Sequence, residues 1–345
     1  MYHFIMNPMA SSGKGLEAWK QIEEILKREH VEYEAHVLCS AKETTDFVKR
    51  LTDKATSEYI DDNANIKESS DSVELEAETV FQVAATAEDV VGEGKVCHIV
   101  VVGGDGTINA VLNGIVDFEH TILSCLRTGS GNDFARNQKV DKNVRKALHH
   151  LLRHPEMCTL DYGVIHYETD TGSVNQRFAI SSGVGYDADI CEEVGHSRLK
   201  KALNKVGLGK LVYVMIGVKQ IFTRKNSGAI LYIDEEKLQL PSLFFVVGMI
   251  HEMEGGGVPF CPQANPSDGL LDVCLVRGMS KLKLLMAVFM VYMKKHYKFR
   301  AITAHRCRQL RVEFAESQWF HCDGDTSIKV KHIAMECRTG LHFCK

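Results

Sequence analysis

His98-Ile99-Val100-Val101-Val102-Gly103-Gly104-Asp105-Gly106-Thr107-Ile108-Asn109-Ala110-Val111-Leu112-Asn113-Gly114 is the stretch on which the reading of this chain turns. Four consecutive β-branched residues predict a strand buried on both faces of a parallel sheet, and the glycines close it. Ile108, Val111, Leu112 and Ile115 then recur at helical spacing, with Asn113-Gly114 as the stop. A strand, a glycine turn and a helix aim backbone N–H groups and a positive helix dipole at one point, where an anion fits. Bare Cα atoms at Gly103, Gly104 and Gly106 admit a phosphate, and Thr107 adds a hydroxyl donor. Asp105 repels a lone phosphate, so a divalent cation is expected with it. A tight turn with a capping Asp accounts for the same glycines.

Outward from this stretch, the pattern repeats. Residues 4–6 predict a short strand that runs into Asn7-Pro8-Met9-Ala10-Ser11-Ser12-Gly13-Lys14-Gly15. A helix follows with Leu16, Trp19, Ile22, Ile25 and Leu26 on its apolar face. Residues 31–38 and 42–51 read as a second strand and helix. From 53 to about 79 the chain is acidic and polar and reads as a solvated insertion, and 80–91 regains helical spacing. Downstream, residues 121–126 predict another strand, followed by Arg127-Thr128-Gly129-Ser130-Gly131-Asn132-Asp133-Phe134-Ala135-Arg136. Its hydroxyl and glycines complete a phosphate site, with Asn132 and Asp133 hydrogen-bonding across to the first glycine turn.

Gly103-Gly104-Asp105-Gly106-Thr107 with Asn109 resembles the nucleotide-binding signature shared by diacylglycerol kinases, sphingosine kinases, NAD kinases and phosphofructokinases. The loop at 7–15 resembles the N-P-x-S/A-G-x-G opening of diacylglycerol kinase catalytic domains. The run ending Asn132-Asp133-Phe134-Ala135-Arg136 is similar to the P-x-G-T-x-N-D-F-A-R segment of bacterial diacylglycerol and related lipid kinases, with Ser130 for the Thr and no proline. NAD kinases lack this continuation.

Size and composition set bounds of their own. The chain has 345 residues, enough for two cores, and a net charge of −4, which excludes bulk nucleic-acid binding. Eleven cysteines stand singly with no zinc-type spacing beside sixteen histidines, as expected of reduced thiols in a cytoplasmic protein. The longest apolar run, 282–293, is too short to cross a bilayer, so membrane contact is expected to be peripheral.

From residue 160 short alternating runs predict an antiparallel β domain. Ile180-Ser181-Ser182-Gly183-Val184-Gly185-Tyr186-Asp187-Ala188 resembles the family's G-x-G-x-D-A segment. Residues 195–225 mix basic and apolar side chains without an acid, which suits an anionic headgroup surface or, equally, the outer face of a packed helix. Asn265-Pro266-Ser267-Asp268-Gly269-Leu270-Leu271-Asp272 is an oxygen-rich turn; related lipid kinases hold a structural Mg²⁺ here, which implies Asp268 with the carbonyls of Asn265 and Leu270 and with Asp272 beside them. Cys322-Asp323-Gly324-Asp325 stands where the family has D-G-E, whose glutamate is the general base. Asp325 takes that place, one methylene shorter, with Asp323 as the other candidate. Ala110 stands where many relatives have Glu.

Taken together, the resemblance implies an ATP- and Mg²⁺-dependent lipid kinase. The expected fold is an N-terminal α/β nucleotide-binding domain over 1–157 and a C-terminal antiparallel β-sandwich over 158–331, with the tail 332–345 packing back on the first. ATP phosphates are expected on Asn7, Pro8, Ser11, Ser12 and Gly13, on residues 103–107 with Asn109, and on Gly129, Ser130, Asn132 and Asp133. Asp105 is expected to serve the catalytic Mg²⁺, and Asp325 to deprotonate a lipid hydroxyl such as that of diacylglycerol. A peripheral, cytoplasmic location with lipid contact through 198–225 and a possible homodimer completes the expectation. The alternatives are an NAD kinase-like enzyme and a nucleotide-binding regulatory protein without turnover.

Overall fold

A computed structural model describes residues 1–8, 14–65, 96–197, 209–326 and 328–345, with backbone alone for 14, 54–65 and 209–211. Two compact units emerge, one of Met1–Leu160 with Gly340–Lys345 and one of Asp161–Thr339.

The first unit is built on parallel strands. β1 (Tyr2–Met6) lies between β2 (Tyr33–Val37) and β3 (Cys97–Gly103), and β3 pairs with β4 (Thr121–Arg127). Beyond β4, His342 and Phe343 at the end of β13 (Lys329–Cys344) add a fifth parallel partner. Ile99 to Val102 are wholly inaccessible, as a strand covered on both faces requires. Helix α1 (Lys14–Arg28) buries Ala18, Ile22, Ile25 and Leu26, while Trp19 packs edge-on against Phe4 and Tyr33. Leu16, expected on that face, is half exposed instead, since the buried stripe runs through Gly15 and Ala18.

Helix α2 (Ala41–Asn65) corrects the reading of 53 onward as loop: the helix continues through the first part of the polar stretch. Its sequence contains no Gly or Pro to stop it, and polar residues are tolerated on a solvated helix. The rest of that stretch and the helix expected at 80–91 lie outside the described residues. After β3 comes α3 (Asp105–Gly114), whose Ala110 carbonyl accepts from Thr45 of α2 at 2.9 Å. After β4 come the one-turn α4 (Asp133–Asn137) and α5 (Val144–Arg153).

The second unit is antiparallel. Its strands are the later part of β5 (Met157–Thr169), β6 (Gly172–Phe178), β7 (Ser181–Gly185), β8 (Ser227–Ile233), β9 (Glu236–Met249), β10 (Leu271–Arg277), β11 (Ile302–Cys307), β12 (Gln309–Cys322) and most of β13. β12 pairs with β8 over Leu310 to Phe314 and with β7 over Phe320 to Cys322, across an irregularity between Glu313 and Gln318. β9 likewise pairs with β8 at its start and with β7 and β10 at its end. Two long strands that change partners fold the sheet on itself, and Val184, Leu231, Val246, Val273, Leu310 and Val312 fill the interior. Helices α6 (Tyr186–His196), α7 (Gly209–Thr223) and α8 (Lys281–Tyr292) cover a second apolar cluster containing Tyr186, Ile221, Phe245 and Leu284.

Candidate active site

The central glycine turn forms as expected, with Gly104 at the N-terminus of α3 and no side chain capping it. Asp105 is not the cap of its own helix. Its two carboxylate oxygens accept the N–H groups of Asp133 and Phe134, each at 3.0 Å, so Asp105 caps α4 from another loop. Asp133 thus bonds across to the first glycine turn as expected, through its backbone N–H. Asn132 does not reach across; its amide closes on its own loop, Oδ1 accepting from Gly129 N at 2.8 Å and Nδ2 donating to Gly129 O at 2.6 Å. It holds left-handed backbone (φ 54°), which Asn tolerates. The Asp133 carboxylate is taken by Arg136.

Glycine has a different use at each position here. A Cβ on Gly129 would lie 2.4 Å from the Cα of Gly104, so the two phosphate-type loops touch backbone to backbone. A Cβ on Gly103 would strike Thr107 at 2.6 Å. Only Gly106 of the three faces open space, so the room reserved for an anion at Gly103 and Gly104 is filled by Thr107 and Gly129. Thr107 is buried, and Asn109 is a buried partner of Asn113, whose amide donates to its carbonyl at 2.9 Å. Ser130 is exposed beside Gly129. Asn7 donates its N–H to Val102 O at 3.4 Å and Pro8 begins the turn; Ser11, Ser12 and Gly13 lie outside the described residues.

In the second unit the two candidate bases part company. Asp323, at φ 50°, accepts three backbone N–H groups, from Ala179 at 2.7 Å, Ile180 at 2.8 Å and Ser181 at 3.0 Å. That carboxylate anchors the entry to β7. Asp325 is exposed, and its backbone closes the turn on Cys322 in both directions, at 2.9 and 3.0 Å.

Beside this turn lies a buried polar cluster to which the sequence reading gives no role. His321 Nε2 lies 3.1 Å from Asp187 Oδ2, Ser181 bonds Glu254, and Ser182 Oγ donates to the His321 carbonyl at 2.6 Å. A Cβ on Gly183 would meet Asp187 Oδ2 at 2.1 Å, which accounts for the glycine in that segment. Burial opposes a charge on His321, but the Asp187, Glu254 and Asp323 carboxylates outweigh it and hold its pKa up at about 9. The Gly324 N–H facing Nδ1 at 3.2 Å suits a neutral ring, yet three carboxylates dominate one amide dipole. The sequence signal was the two-residue step from His321 to Asp323 at a strand end; nothing in the spacing announced Glu254.

At the 265–272 turn, Asp268 accepts Leu270 N at 3.1 Å and pairs with Arg306, and Asn265 Oδ1 accepts Ser267 N at 3.3 Å. Nearby, Asp272 is buried, with Oδ1 3.5 Å from Arg306 and Oδ2 lacking a hydrogen-bond partner. Asp161 Oδ2 accepts Gly269 N at 2.8 Å. Burial raises the pKa of both Asp161 and Asp272. Two carboxylates on one guanidinium, a third on the same turn and one oxygen unsatisfied make a donor set that accommodates a further cation.

Comparison with known proteins finds two matching domains. Residues 62–163 match the diacylglycerol kinase catalytic domain, and 180–338 match the YegS C-terminal NAD kinase beta sandwich-like domain. The chain is 24% identical to the provisionally named lipid kinase YtlR of Bacillus subtilis over 94% of this chain and 93% of that one. It is 24% identical to a diacylglycerol kinase of the same organism over 66% of this chain and 70% of the relative. A crystal structure of a diacylglycerol kinase from Bacillus anthracis shares the fold, with a TM-score of 0.62 at 15% identity, covering 99% of this chain and 95% of that one. The glycine turn and the N-D-F-A-R helix it caps fall inside the first matched domain, and the Asp323–Asp325 turn inside the second, so the chain carries diacylglycerol kinase-type domains in both units and is a lipid kinase.

Proposed function

We propose that this kinase transfers the γ-phosphate of ATP to the hydroxyl of diacylglycerol or a closely related lipid alcohol, giving phosphatidic acid or its counterpart. The observation that carries the assignment of roles is the division of labour at the 322–325 turn: Asp323 is committed to three amides, while Asp325 is an exposed residue. Asp325 is then the group that takes the proton of the attacking hydroxyl. Bacterial relatives named diacylglycerol kinase favour that acceptor.

Mg²⁺ fits this chain at two places. Asp105 is half exposed, and each of its oxygens retains a lone pair beyond the single N–H it accepts. Asp268 and Asp272, with the carbonyls of Asn265 and Leu270, would hold a second, structural ion. When bound, the ion at Asp105 would neutralise phosphate charge developing in transfer. The protein's own part is to orient phosphates over the α3 N-terminus and the bare Gly106.

The lipid surface is met, in this reading, by α7 and α8. α8 buries Leu284, Ala287 and Val291 on one side and presents Leu282, Met286, Phe289 and Met293 on the other, so it has no polar face. Val214, Met215 and Phe222 extend the apolar surface on α7, and the Lys281 ammonium donates to the Ile221 and Phe222 carbonyls. No acidic residue occurs between Asp272 and Glu313, and Lys283, Lys295, Lys298 and Arg300 are exposed around the stripe. Apolar side chains framed by cations suit an anionic bilayer, to which each nearby cation contributes about 1 kcal/mol. Among the described residues no helix is long and apolar enough to cross a membrane. The position proposed is peripheral, on the cytoplasmic leaflet. Residues 198–208 of the expected contact lie outside the described residues.

The test is transfer of labelled phosphate from ATP to a panel of lipids in mixed micelles with Mg²⁺, comparing the wild type with Asp325→Asn and Asp105→Asn. Labelled phosphatidic acid, lost in both variants, is the expected outcome. Labelling of NAD, or of another lipid while diacylglycerol stays cold, would overturn the acceptor; full activity in Asp325→Asn would overturn the base.

A further inference from the structure

Strands β1 and β2 bring together three side chains far apart in the sequence. The parallel register sets His3 opposite Glu34 and Ile5 opposite His36, so His3, Glu34 and His36 share one face of the sheet. Glu34 Oε2 lies 3.4 Å from His3 Nδ1 and 3.4 Å from His36 Nε2. One carboxylate oxygen is thus equidistant from two imidazole nitrogens, and the three ligand atoms lie within 4.8 Å of one another.

Neither nitrogen is satisfied. Both are shielded from water and have no hydrogen-bond partner, although His3 is only 8% exposed and His36 packs its ring on Phe47 at 4.4 Å. Buried imidazole nitrogens without partners are costly and rare in folded proteins. Two imidazoles and a carboxylate form a donor set suited to a borderline divalent transition ion. The spacing agrees: metal–ligand bonds of about 2.0–2.1 Å at the tetrahedral angle put neighbouring ligand atoms about 3.3–3.4 Å apart.

We propose that His3, Glu34 and His36 bind a divalent transition ion of the Zn²⁺ class, with a solvent molecule in the fourth position. Glu34 is half exposed and gives the entry path. The ion would clip β2, the outermost of the described strands of the first unit, to β1. Its action is on stability, because a ligand that binds the folded chain alone raises the apparent stability by mass action. It is separate from the carboxylates assigned to phosphoryl transfer and stands or falls independently of them.

The experiment uses the full chain, stripped with a chelator and then titrated with Zn²⁺, and with Co²⁺ as a spectroscopic probe. Elemental analysis after gel filtration and the melting temperature at each metal concentration are the readouts. One ion per chain, a Tm that rises with added Zn²⁺, and at least tenfold weaker binding in Glu34→Gln are expected. His3→Asn/His36→Asn should lose the ion altogether; because His3 is buried, Glu34→Gln, at a half-exposed position, keeps the test valid if that double variant fails to fold. The proposal fails if no ion is retained and Tm is unmoved by Zn²⁺. It fails equally if Glu34→Gln binds as tightly as the wild type, or if the Co²⁺ spectrum carries a thiolate charge-transfer band, which would place the ion on cysteines such as the exposed Cys39.

Discussion

The glycine turn of the first unit and the Asp323–Asp325 turn of the second solve the same problem differently. In each, a carboxylate from one loop organises the backbone of another: Asp105 holds two amides of α4, and Asp323 holds three at the entry to β7. In the first turn, support and chemistry fall on one residue, because Asp105 keeps lone pairs and a half-exposed position. In the second they are split over two residues, with Asp323 as anchor and Asp325 as the proposed reagent. A motif of two acids flanking a glycine therefore reads as one anchor and one base, not as a pair sharing a task.

The sharpest way to break that comparison is kinetic. Asp325→Asn should lower kcat by about 10²–10⁴, as removal of a general base does, with Tm unchanged. A large fall in Tm with it would mean that the two roles are not separated. Next in size is the converse: Asp323→Ala leaves three buried amides without an acceptor and should cost about 3 kcal/mol or more in chemical unfolding, with Asp323→Asn recovering part.

His321, between the anchor and Asp187, gives a pH signature. Its pKa is raised from 6.5 to about 9, so its stabilisation is complete below about pH 6.5 and is lost as pH rises through 9. Unfolding free energy should fall by up to about 3 kcal/mol over that range, and His321→Gln should flatten the profile. The smallest effects compare glycines in the first turn. Gly129→Ala should destabilise by about 1–3 kcal/mol through its clash with Gly104, whereas Gly106→Ala, in open space at the start of a helix, should leave the fold intact or up to about 1 kcal/mol firmer while weakening ATP binding.

Much of this was legible along the chain. Glycine turns after β-branched runs predict the first unit because strand, turn and helix are local events, and the alternating runs after residue 160 predict the antiparallel unit for the same reason. What was hidden depends on pairing between distant segments. The capping of α4 by Asp105, the saturation of Asp323 by residues 179–181, and the meeting of His3 with Glu34 and His36 are decided by how distant segments pair, which periodicity does not encode. Leu16 misled because its hydrophobicity fits the stripe, while the contact surface is drawn by the smaller Gly15 and Ala18. The polar stretch after Asp53 misled because composition was taken for conformation, in a segment with nothing to break a helix.

The closing strand also sets a timetable. Ser124 Oγ of β4 donates to the Cys344 carbonyl at 2.6 Å, and His342 and Phe343 pair with Ile122 and Leu123. During synthesis, β4 leaves the ribosome long before the segment that covers its edge, and the whole second unit must emerge in between. The nucleotide-binding unit therefore cannot finish folding first, as leading domains commonly do. It waits with one strand edge uncovered, and nascent chains stalled after residue 160 should be the species most dependent on chaperones.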